Sequence, residues 1–412
     1  MSSPAPLVCL ITPGHIASTP RLVKNADALV AAGYRVHVVA GRHFPPADAL
    51  DEALLAAAPW SHTRVDARRS SAAFARKLLR LVSRNWIRLG FPATRRLAAR
   101  AHHAETFHLA AVAARLPAQL YFGHCLAGLP AAAQAAQLRG APFAFDAEDF
   151  HEGEEIAARE ELRARRVILA RLLGRCAFVT AASPLIADAY RDTYAVSPTT
   201  LLNVFPLSEA PAAPTPPPPI TGHRPAVLYW FSQTIGPGRG LEAVVAIAGK
   251  MRTPVALHLR GFVSPGYAAH LRSLAAAARL AHPLHFLPPA PPSDMIQLAA
   301  AADLGLSTEE SQPLNRDLCL TNKIFTYLLA GLPQLLSSTR AQTALAPDLG
   351  HAALLGHLGR TDETAVQLDH FFAASENVIR ARAAAWQLGR RRYCWDVEQA
   401  AFLRLVDGLL RR

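Results

Sequence analysis

Residues 7 to 40 read LVCLITPGHIASTPRLVKNADALVAAGYRVHVVA, and this stretch decides the fold. Its apolar start, Leu7 to Ile11, predicts a strand, and Pro20 suits the first position of a helix that Gly33 ends. A second strand is predicted from Arg35 to Ala40, so the stretch forms a β-α-β unit. In such units the loop after the first strand opens on the carboxyl edge of a parallel sheet, where ligands bind.

The same alternation of apolar runs and helical segments continues along the chain, with one interruption. Residues 206–225 contain Pro211, Pro214 and the run Pro216 to Pro219, which predicts a semi-rigid linker. Before it, strands are expected at Leu7 to Ile11, Arg35 to Ala40, Gln119 to Phe122, Phe143 to Asp146, Phe178 to Ala181 and Thr199 to Asn203. After it, strands are expected at Val227 to Phe231, Ala256 to Arg260, Leu284 to Leu287, Leu304 to Ser307 and Gln334 to Leu336.

This pattern predicts the α/β class, with two Rossmann-like parallel-sheet domains that face each other across a central cleft. We expect an N-terminal domain over residues 1–205, the linker over 206–225 and a C-terminal domain over 226–385. Residues 386–412 are expected to be helical and to pack back toward the N-terminal domain.

Composition narrows the class of protein. The chain has 412 residues, of which 51% are apolar, enough for two ordinary cores. Its five cysteines are scattered without a C-x-x-C pair, so we expect reduced thiols in the cytoplasm and neither a metal site nor disulfides. No signal-peptide pattern and no spanning apolar run is present, which predicts a cytoplasmic protein, soluble or peripheral at the inner face of the membrane.

Basic residues are concentrated in one segment of this chain of net charge +12. Residues 68–100 contain no acid, and on a helix Arg76, Arg80, Arg84 and Arg88 share one side, opposite an apolar side. Such a helix suits an anionic membrane surface or an acidic acceptor. The alternative is a helix packed on its own domain with its arginines in solvent. Nucleic acid is not expected, because no aromatic stacking pattern accompanies the charge.

Two segments of the C-terminal half suit a phosphate group. The strand Ala226 to Phe231 leads into Gly236-Pro-Gly-Arg-Gly240, where glycines allow close approach and Arg239 donates paired hydrogen bonds. Its spacing is neither the dinucleotide-binding pattern nor a P-loop. The helix predicted from Asn322 carries Lys323 in its first turn and follows Arg316, so its free N–H groups and these cations favour an anion. A tight turn and an ordinary helix cap are the alternatives.

In this order the segments resemble a GT-B type glycosyltransferase, similar to glycosyltransferase family 4. Thr12-Pro-Gly-His-Ile-Ala-Ser-Thr-Pro-Arg-Leu resembles the family's first glycine loop, and Leu120-Tyr-Phe-Gly-His-Cys its strand-end histidine segment. Phe145-Asp-Ala-Glu-Asp-Phe-His resembles the Asp-Ala-His-Glu segment. Gly236-Pro-Gly-Arg-Gly-Leu-Glu and Asn322-Lys-Ile-Phe-Thr-Tyr-Leu-Leu-Ala-Gly resemble the donor loop and the donor helix.

The resemblance implies that the chain moves a sugar from a nucleotide-sugar donor to a lipid-linked, polysaccharide or small-molecule acceptor, with retention and without a metal. The nucleotide-sugar is a substrate, so no cofactor is expected. His124 is expected at the donor sugar or the reacting centre, and one of Asp146, Glu148 and Asp149 is expected to orient the acceptor or act as a base. Donor binding is expected of Gly14, His15, Arg239, Gly240, Glu310, Arg316, Asn322, Lys323 and Thr326.

The chain departs from the family pattern at four places. Thr326 stands where the donor-helix glutamate is usual, and Ser232 or Gln233 where an arginine is frequent. Glu148 replaces a histidine, and Cys125 replaces an aspartate. Two other functions therefore remain open at this stage: a weakened homologue that serves as a binding or scaffold subunit, and a GT-B type nucleotide-sugar epimerase.

Overall fold

The computed structural model describes residues 5–68, 70–154, 157–214 and 224–411. Two compact units emerge from it, one made of residues 1–201 with 399–412 and the other of residues 202–398. Each unit is built on one parallel sheet. Among the described residues, no helix combines the length and the apolar composition needed to cross a membrane.

The first unit holds a seven-stranded sheet in the order β3-β2-β1-β4-β5-β6-β7. Its strands are β1 (Leu7–Thr12), β2 (Arg35–Arg42), β3 (Ser61–Asp66), β4 (Leu120–His124), β5 (Phe143–Glu148), β6 (Val179–Ala181) and β7 (Thr199–Thr200). Its helices are α1 (Pro20–Ala31), α2 (Asp48–Ala57), α3 (Ser71–Arg88), α4 (Arg95–His102), α5 (Thr106–Ala113), α6 (Cys125–Arg139), α7 (Arg159–Leu172) and α8 (Pro184–Tyr194). Strand β1 is buried along its whole length, as a central strand covered on both faces must be.

The second unit holds a six-stranded sheet in the order β10-β9-β8-β11-β12-β13. Its strands are β8 (Ala226–Ile235), β9 (Val255–Val263), β10 (Leu284–Leu287), β11 (Leu304–Ser307), β12 (Gln334–Ser337) and β13 (Ala353–Gly356). Its helices are α9 (Leu241–Lys250), α10 (Tyr267–Ala277), α11 (Met295–Ala300), α12 (Leu314–Leu318), α13 (Asn322–Ala330), α14 (Arg340–Leu349), α15 (Thr361–Ala373) and α16 (Ser375–Arg391).

The last helix, α17 (Trp395–Leu410), begins in the second unit and completes the first. From residue 399 onward it supplies Phe402 to the first unit's core, where the ring lies 5.8 Å from that of Phe122. Tyr34 on the first unit donates its hydroxyl to Asp407 of the same helix.

Every strand expected from the sequence is present, and the structure adds β3 and β13. The start of the expected linker belongs to the second unit, because Leu207 and Ala210 pack against that unit's core. The proline run Pro216 to Pro219 lies outside the described residues.

Helix α3 has the expected two sides, but both orientations expected from the sequence were wrong. Three of the four arginines face their own unit: Arg76 pairs with Glu105 at 2.6 Å, Arg84 pairs with Glu160 at 3.2 Å, and Arg80 donates to the carbonyl of Ala101. Arg88, at the end of the helix, is exposed. The apolar side is the one in solvent. Buried carboxylates and carbonyls on the neighbouring helices draw the guanidinium groups inward, which sequence periodicity alone does not show.

Candidate functional site

Strand order marks one ligand-binding position in each sheet. In the first unit the order reverses between β1 and β4, and in the second unit between β8 and β11. At such a switch point the loops leave the two strands in opposite directions and open a crevice at the carboxyl edge. The segments with chemical side chains follow these strands.

A buried network occupies the switch point of the first unit. Arg21 on α1 donates two hydrogen bonds to Asp146 on β5, from Nε to Oδ2 at 2.8 Å and from Nη2 to Oδ1 at 2.7 Å. Thr180 donates to the same carboxylate at 2.7 Å. Burial alone would raise the pKa of Asp146, but the Arg21 guanidinium lowers it far below its usual range, so the carboxylate stays ionised.

His124 ends β4 beside this carboxylate. Its Nδ1 lies 3.2 Å from Asp146 Oδ2, and its side chain has no exposed surface. Burial lowers the pKa of His124 despite the opposing effect of Asp146, so the imidazole is neutral near pH 7. Neither ring nitrogen makes a hydrogen bond of good geometry among the described residues, so the Nδ1–Asp146 contact is a short charge–dipole contact. Because the ring has no exposed surface, the direct contact with a donor sugar that we expected of His124 is not available in this structure.

Two residues at adjacent strand ends hold a left-handed backbone. Cys125 has φ 57° and Glu148 has φ 56°, values that cost free energy for residues other than glycine. They follow β4 and end β5, on either side of the Asp146–His124 pair. Backbone strain of this kind gathers at ligand and catalytic sites, where it directs a side chain.

Glu148 also has an unusual acidity. Burial raises the pKa of its carboxyl group to about 7, with the Arg21 charge opposing and the neighbouring Asp149 and Asp146 charges adding to the rise. The side chain is nevertheless partly exposed. Asp149 is partly exposed as well, and its backbone carbonyl accepts the Tyr190 hydroxyl at 2.9 Å. A carboxyl group that titrates near neutrality suits general acid or base catalysis.

His15 has a different place from the one we expected. Its Nδ1 donates to Asp51 at 2.7 Å, and its Nε2 accepts the backbone N–H groups of Phe44 at 2.9 Å and His43 at 3.2 Å. Both ring nitrogens are used, so the direct donor contact is not available and His15 shapes the loop instead. Gly14 beside it is partly exposed, with open space where a Cβ would stand.

One cluster in this region has ligand atoms close enough to hold a metal ion, namely His15, Asp48 and Asp51. Asp48 is already paired with Arg42 at 2.7 Å and with Arg68 at 3.0 Å. Asp51 already accepts from His15 and from the backbone N–H of Ala17 at 2.8 Å. The carboxylates are therefore compensated by protein groups, which does not fit a metal centre.

The glycine loop of the second unit is fixed against the segment after β11. Gly240 has φ 70°, and a Cβ there would meet the carbonyl oxygen of Thr308 at 2.3 Å. The Thr308 hydroxyl donates to the carbonyl of Arg239 at 3.2 Å, and Arg316 donates to the carbonyl of Gly238. Only glycine permits this close approach, which brings the loop after β8 and the loop after β11 together at the switch point.

Two guanidinium groups meet at this loop. Burial lowers the pKa of Arg239, and the nearby Arg316 charge lowers it further. The Arg239 side chain has no hydrogen-bonding partner among the described residues. Glu310 also contacts this loop, because its carboxylate accepts the N–H of Gly240 at 3.2 Å. Two adjacent cations beside the start of α9 form a place for an anion.

Helix α13 begins and ends as predicted, after Thr321 and before Gly331, but it is buried on all sides except at Asn322. Lys323 is therefore not a free cation: its Nζ lies 2.6 Å from Glu309, and both side chains are almost fully buried. Thr326 is fully buried and donates to the carbonyl of Asn322 at 3.0 Å. The direct contacts expected of Lys323 and Thr326 with a donor are not available here, because tertiary packing encloses the helix. The Asn322 side chain remains exposed.

Sequence reasoning missed Arg21 and Gly41. On α1, Arg21 shares the buried side with Asn25 and Leu29, so the helical period could have placed it under the strand ends. Gly41 is the glycine that the first loop requires, since a Cβ there would meet the carbonyl oxygen of Pro13 at 2.0 Å. Gly41 lies in β2, and no local pattern connects it with that loop.

Comparison with known proteins bears on the fold. The sequence matches no protein-family profile and no curated protein. HepE from Anabaena, in complex with UDP-glucose, superposes with a TM-score of 0.71 at 15% identity, covering 97% of this chain and 99% of HepE. Sucrose-phosphate synthase from Thermosynechococcus elongatus gives 0.69 at 14% identity, covering 98% and 99%. A glycosyltransferase from Rickettsia africae gives 0.67 at 12% identity, covering all of both chains.

The chain has the GT-B fold. The likeness extends over nearly the whole length and includes both parallel sheets, so the fold expected from the sequence is confirmed. At these identities the likeness concerns the fold, and the chemistry of a GT-B protein must be argued from its own side chains.

Proposed function

We propose that this protein is a nucleotide-sugar-dependent glycosyltransferase. The observation that carries the proposal is the Arg239–Arg316 pair, held beside a glycine loop at the switch point of a GT-B fold. HepE, which shares the fold, binds UDP-glucose. A diphosphate is the part of such a donor that two adjacent guanidinium groups recognise best.

The candidate donor-binding residues are those of the second unit whose side chains or backbone N–H groups can still contact a ligand. Arg239 and Arg316 would neutralise the diphosphate, the N–H groups at the start of α9 would donate to it, and Asn322 would reach a hydroxyl. Glu310, already at the loop, would accept from sugar hydroxyls. Lys323 and Thr326 support the site from beneath, through the Glu309 pair and the helix.

In the reaction the bond between the sugar and the diphosphate breaks, and an acceptor hydroxyl oxygen forms the new bond to the sugar carbon. Negative charge develops on the leaving diphosphate, where fixed cations and helix N–H groups stabilise it without needing a metal. The acceptor proton passes to a base, for which ionised Glu148 is suited by its pKa of about 7. His124 is fully buried beside Asp146, so it would support the end of β4 from beneath and not touch the donor sugar. The family resemblance supports retention of configuration.

The acceptor would bind in the first unit, in a cavity of about 790 Å³ at the carboxyl ends of β2 and β3. Its wall carries both charges, with Arg68, Lys77 and Arg80 as cations and Asp66 and Glu105 as carboxylates, and His103 contributes an imidazole. Asp66 pairs with Arg68 at 2.7 Å, which leaves Lys77 and Arg80 as the cations for an acceptor. Burial and the nearby His102 and Arg80 charges lower the pKa of His103 to about 4, so this ring is neutral. An acceptor that carries phosphate, such as a lipid-linked glycan, suits this wall.

Arg80→Ala should raise the KM for such an acceptor and leave the donor KM unchanged. Exposed Arg96→Ala is the control. An equal change in the acceptor KM of both variants would exclude the cavity as the acceptor site.

The donor site is tested by thermal unfolding with a panel of nucleoside diphosphates, because a ligand of the folded state raises the unfolding temperature. Arg239→Ala and Arg316→Ala should each weaken binding by roughly 1.5 to 3 kcal/mol, the contribution of a charge-assisted hydrogen bond. Arg380→Ala, an exposed arginine of the same unit, should bind as the wild type does.

The outcomes separate the alternatives. No stabilisation by any nucleotide would favour the scaffold subunit over the enzyme. With a nucleotide identified, product analysis of the matching nucleotide-sugars distinguishes transfer from epimerisation, because an epimerase changes the sugar in the absence of an acceptor.

A further inference from the structure

Helix α3 presents its apolar side to solvent. Phe74 is 71% exposed, Leu81 and Val82 are each 56% exposed, and Leu89 just after the helix is 70% exposed. Leu78, Leu79, Trp86 and Phe91 are exposed as well. A contiguous apolar surface of this kind is uncommon on a protein that works alone in water and marks an interaction surface.

The helix cannot turn this side inward. Its opposite side is fixed by the Arg76–Glu105 and Arg84–Glu160 ion pairs and by the buried residues Ala73, Ser83 and Ile87. Rotation would break these ion pairs and expose the three buried side chains. The apolar side is thus a stable feature of the folded unit.

Charge along this surface indicates what covers it. Lys77 and Arg88 are exposed and border the apolar side at one edge, separated by three helical turns, or roughly 16 Å. Between Ala67 and Ala104 the sequence contains no acidic residue. A second copy of the chain would bring these cations against each other, whereas an anionic lipid surface would pair with them. The Trp86 and Phe91 rings, 4.6 Å apart, stand at the end of the helix, where aromatic residues favour the lipid headgroup level.

We propose that α3 lies in the plane of an anionic phospholipid bilayer, with Phe74, Leu78, Leu81, Val82 and Leu89 among the acyl chains. Lys77 and Arg88 then contact headgroup phosphates at the edge of the helix. The embedded side is the opposite of the arginine side expected from the sequence. This proposal does not depend on the transfer reaction, since it rests on a surface that needs no nucleotide.

Vesicle flotation tests it with the full-length protein. Wild type should float with phosphatidylglycerol-containing vesicles far more than with pure phosphatidylcholine, and the difference should shrink as salt rises. Leu78→Gln, Val82→Gln and Leu89→Gln combined should reduce partitioning at least tenfold even at low salt, since burial of a single large apolar side chain is worth roughly that factor. Lys77→Glu with Arg88→Glu should reduce it by roughly fivefold per cation, on anionic vesicles alone.

A matched control distinguishes specific membrane binding by α3 from nonspecific binding by any exposed apolar residue. Leu50 and Leu138 are exposed by 58% and 61% in the same unit but lie outside α3, so Leu50→Gln with Leu138→Gln should float as the wild type does. Quenching of Trp86 by brominated lipids should mark the depth, and Trp86→Phe should remove most of that quenching.

Two results would overturn the proposal. One is flotation of the triple glutamine variant at the wild-type level. The other is a wild-type dimer in lipid-free solution that the same three substitutions convert to a monomer, which would assign the surface to a second copy. Because the substituted side chains are exposed, circular dichroism and the unfolding temperature should be unchanged, which keeps the comparison valid.

Discussion

At the scale of single residues, Glu148 has the property most directly open to measurement. Its carboxyl group has a raised pKa of about 7, against an ordinary value of 4.5. Burial is the main cause, and the Asp149 charge adds to it. Between these two pH values the folded chain holds a proton that the unfolded chain has lost, so this group lowers stability as pH rises from about 4.5 to about 7.

The rate should follow the same ionisation. If ionised Glu148 accepts the acceptor proton, kcat/KM rises through an apparent pKa near 7, and Glu148→Gln removes that limb together with most of the rate. Asp149→Asn removes a neighbouring negative charge, so the limb should move to lower pH. A pH profile of Glu148→Gln that overlays the wild type would assign the proton transfer to another group.

Lys323 is a second residue whose role the structure redefines. We expect Lys323→Met to destabilise the fold by roughly 3 to 5 kcal/mol, because Glu309 would remain buried without its cation. Lys250→Met, which breaks an exposed pair with Asp362, should change stability little, because solvent screens such a pair. Urea unfolding measures both.

The pH dependence of this loss gives a further check. Burial tends to raise the pKa of Glu309, but Lys323 and Gln342 lower it overall, so the pair stabilises the fold above the ordinary glutamate pKa and less as pH falls through the folded-state value. The difference between Lys323→Met and wild type should therefore shrink in acid. Equal stability of the two proteins at pH 7 would rule out the buried pair as a structural element.

At the scale of elements, the donor helix shows what sequence could and could not predict. The ends of α13 were predictable, because Thr321 and Gly331 are local signals at either side of an apolar period. The residues that surround α13 in the folded chain were not predictable from the sequence. The sequence suggests one apolar side and a cationic start, whereas the structure encloses nearly every side chain and pairs Lys323 with a residue on another segment. Local patterns fix where a helix lies in the chain, and partners distant in sequence decide which side chains remain free.

The same distinction holds for the candidate site. The segments around His124, Asp149 and the glycine loop were found from motifs, and the structure places them at strand ends of the two sheets. Arg21 required the fold, since its partner Asp146 is distant in the chain. For α3 the period gave the two sides correctly, but the choice of the inward side depended on Glu105 and Glu160, which lie on neighbouring helices.

The glycine loop allows a prediction at this scale. Gly240→Ala should destabilise the second unit and weaken nucleotide diphosphate binding together, because a Cβ at φ 70° meets the Thr308 carbonyl. Gly359→Ala is the control, since nothing lies within 4 Å of its Cβ position and its φ is not positive. Unfolding temperature and nucleotide titration would be measured on both. Normal binding by Gly240→Ala would show that the loop adapts.

At the scale of the whole molecule, the chain returns to its first unit. Residues 399–412 group with residues 1–201, although the second unit lies between them in sequence. Phe402 and Val406 are fully buried there. The fold of the first unit therefore depends on residues that follow the whole second unit in the chain.

Phe402→Ala should lower the free energy of unfolding of the first unit by roughly 3 to 5 kcal/mol, the usual cost of removing a buried phenylalanine. Val397→Ala, on the same helix but 46% exposed, should change it little. Hydrogen exchange can report each unit separately. Unchanged protection of β4 in Phe402→Ala would mean that the first unit folds without its last helix.

Strand β3 was missed because it alternates weakly and is largely polar, with Ser61, His62 and Arg64 along it. It is also the outer strand of its sheet, and the opposite border, β7, is only two residues long. An outer strand leaves unpaired backbone groups that can template fibril growth, and charge or brevity at that position opposes it. The polar residues that make β3 hard to predict as a strand therefore also oppose pairing between the sheets of two molecules. We expect Arg64→Val to make the protein aggregate.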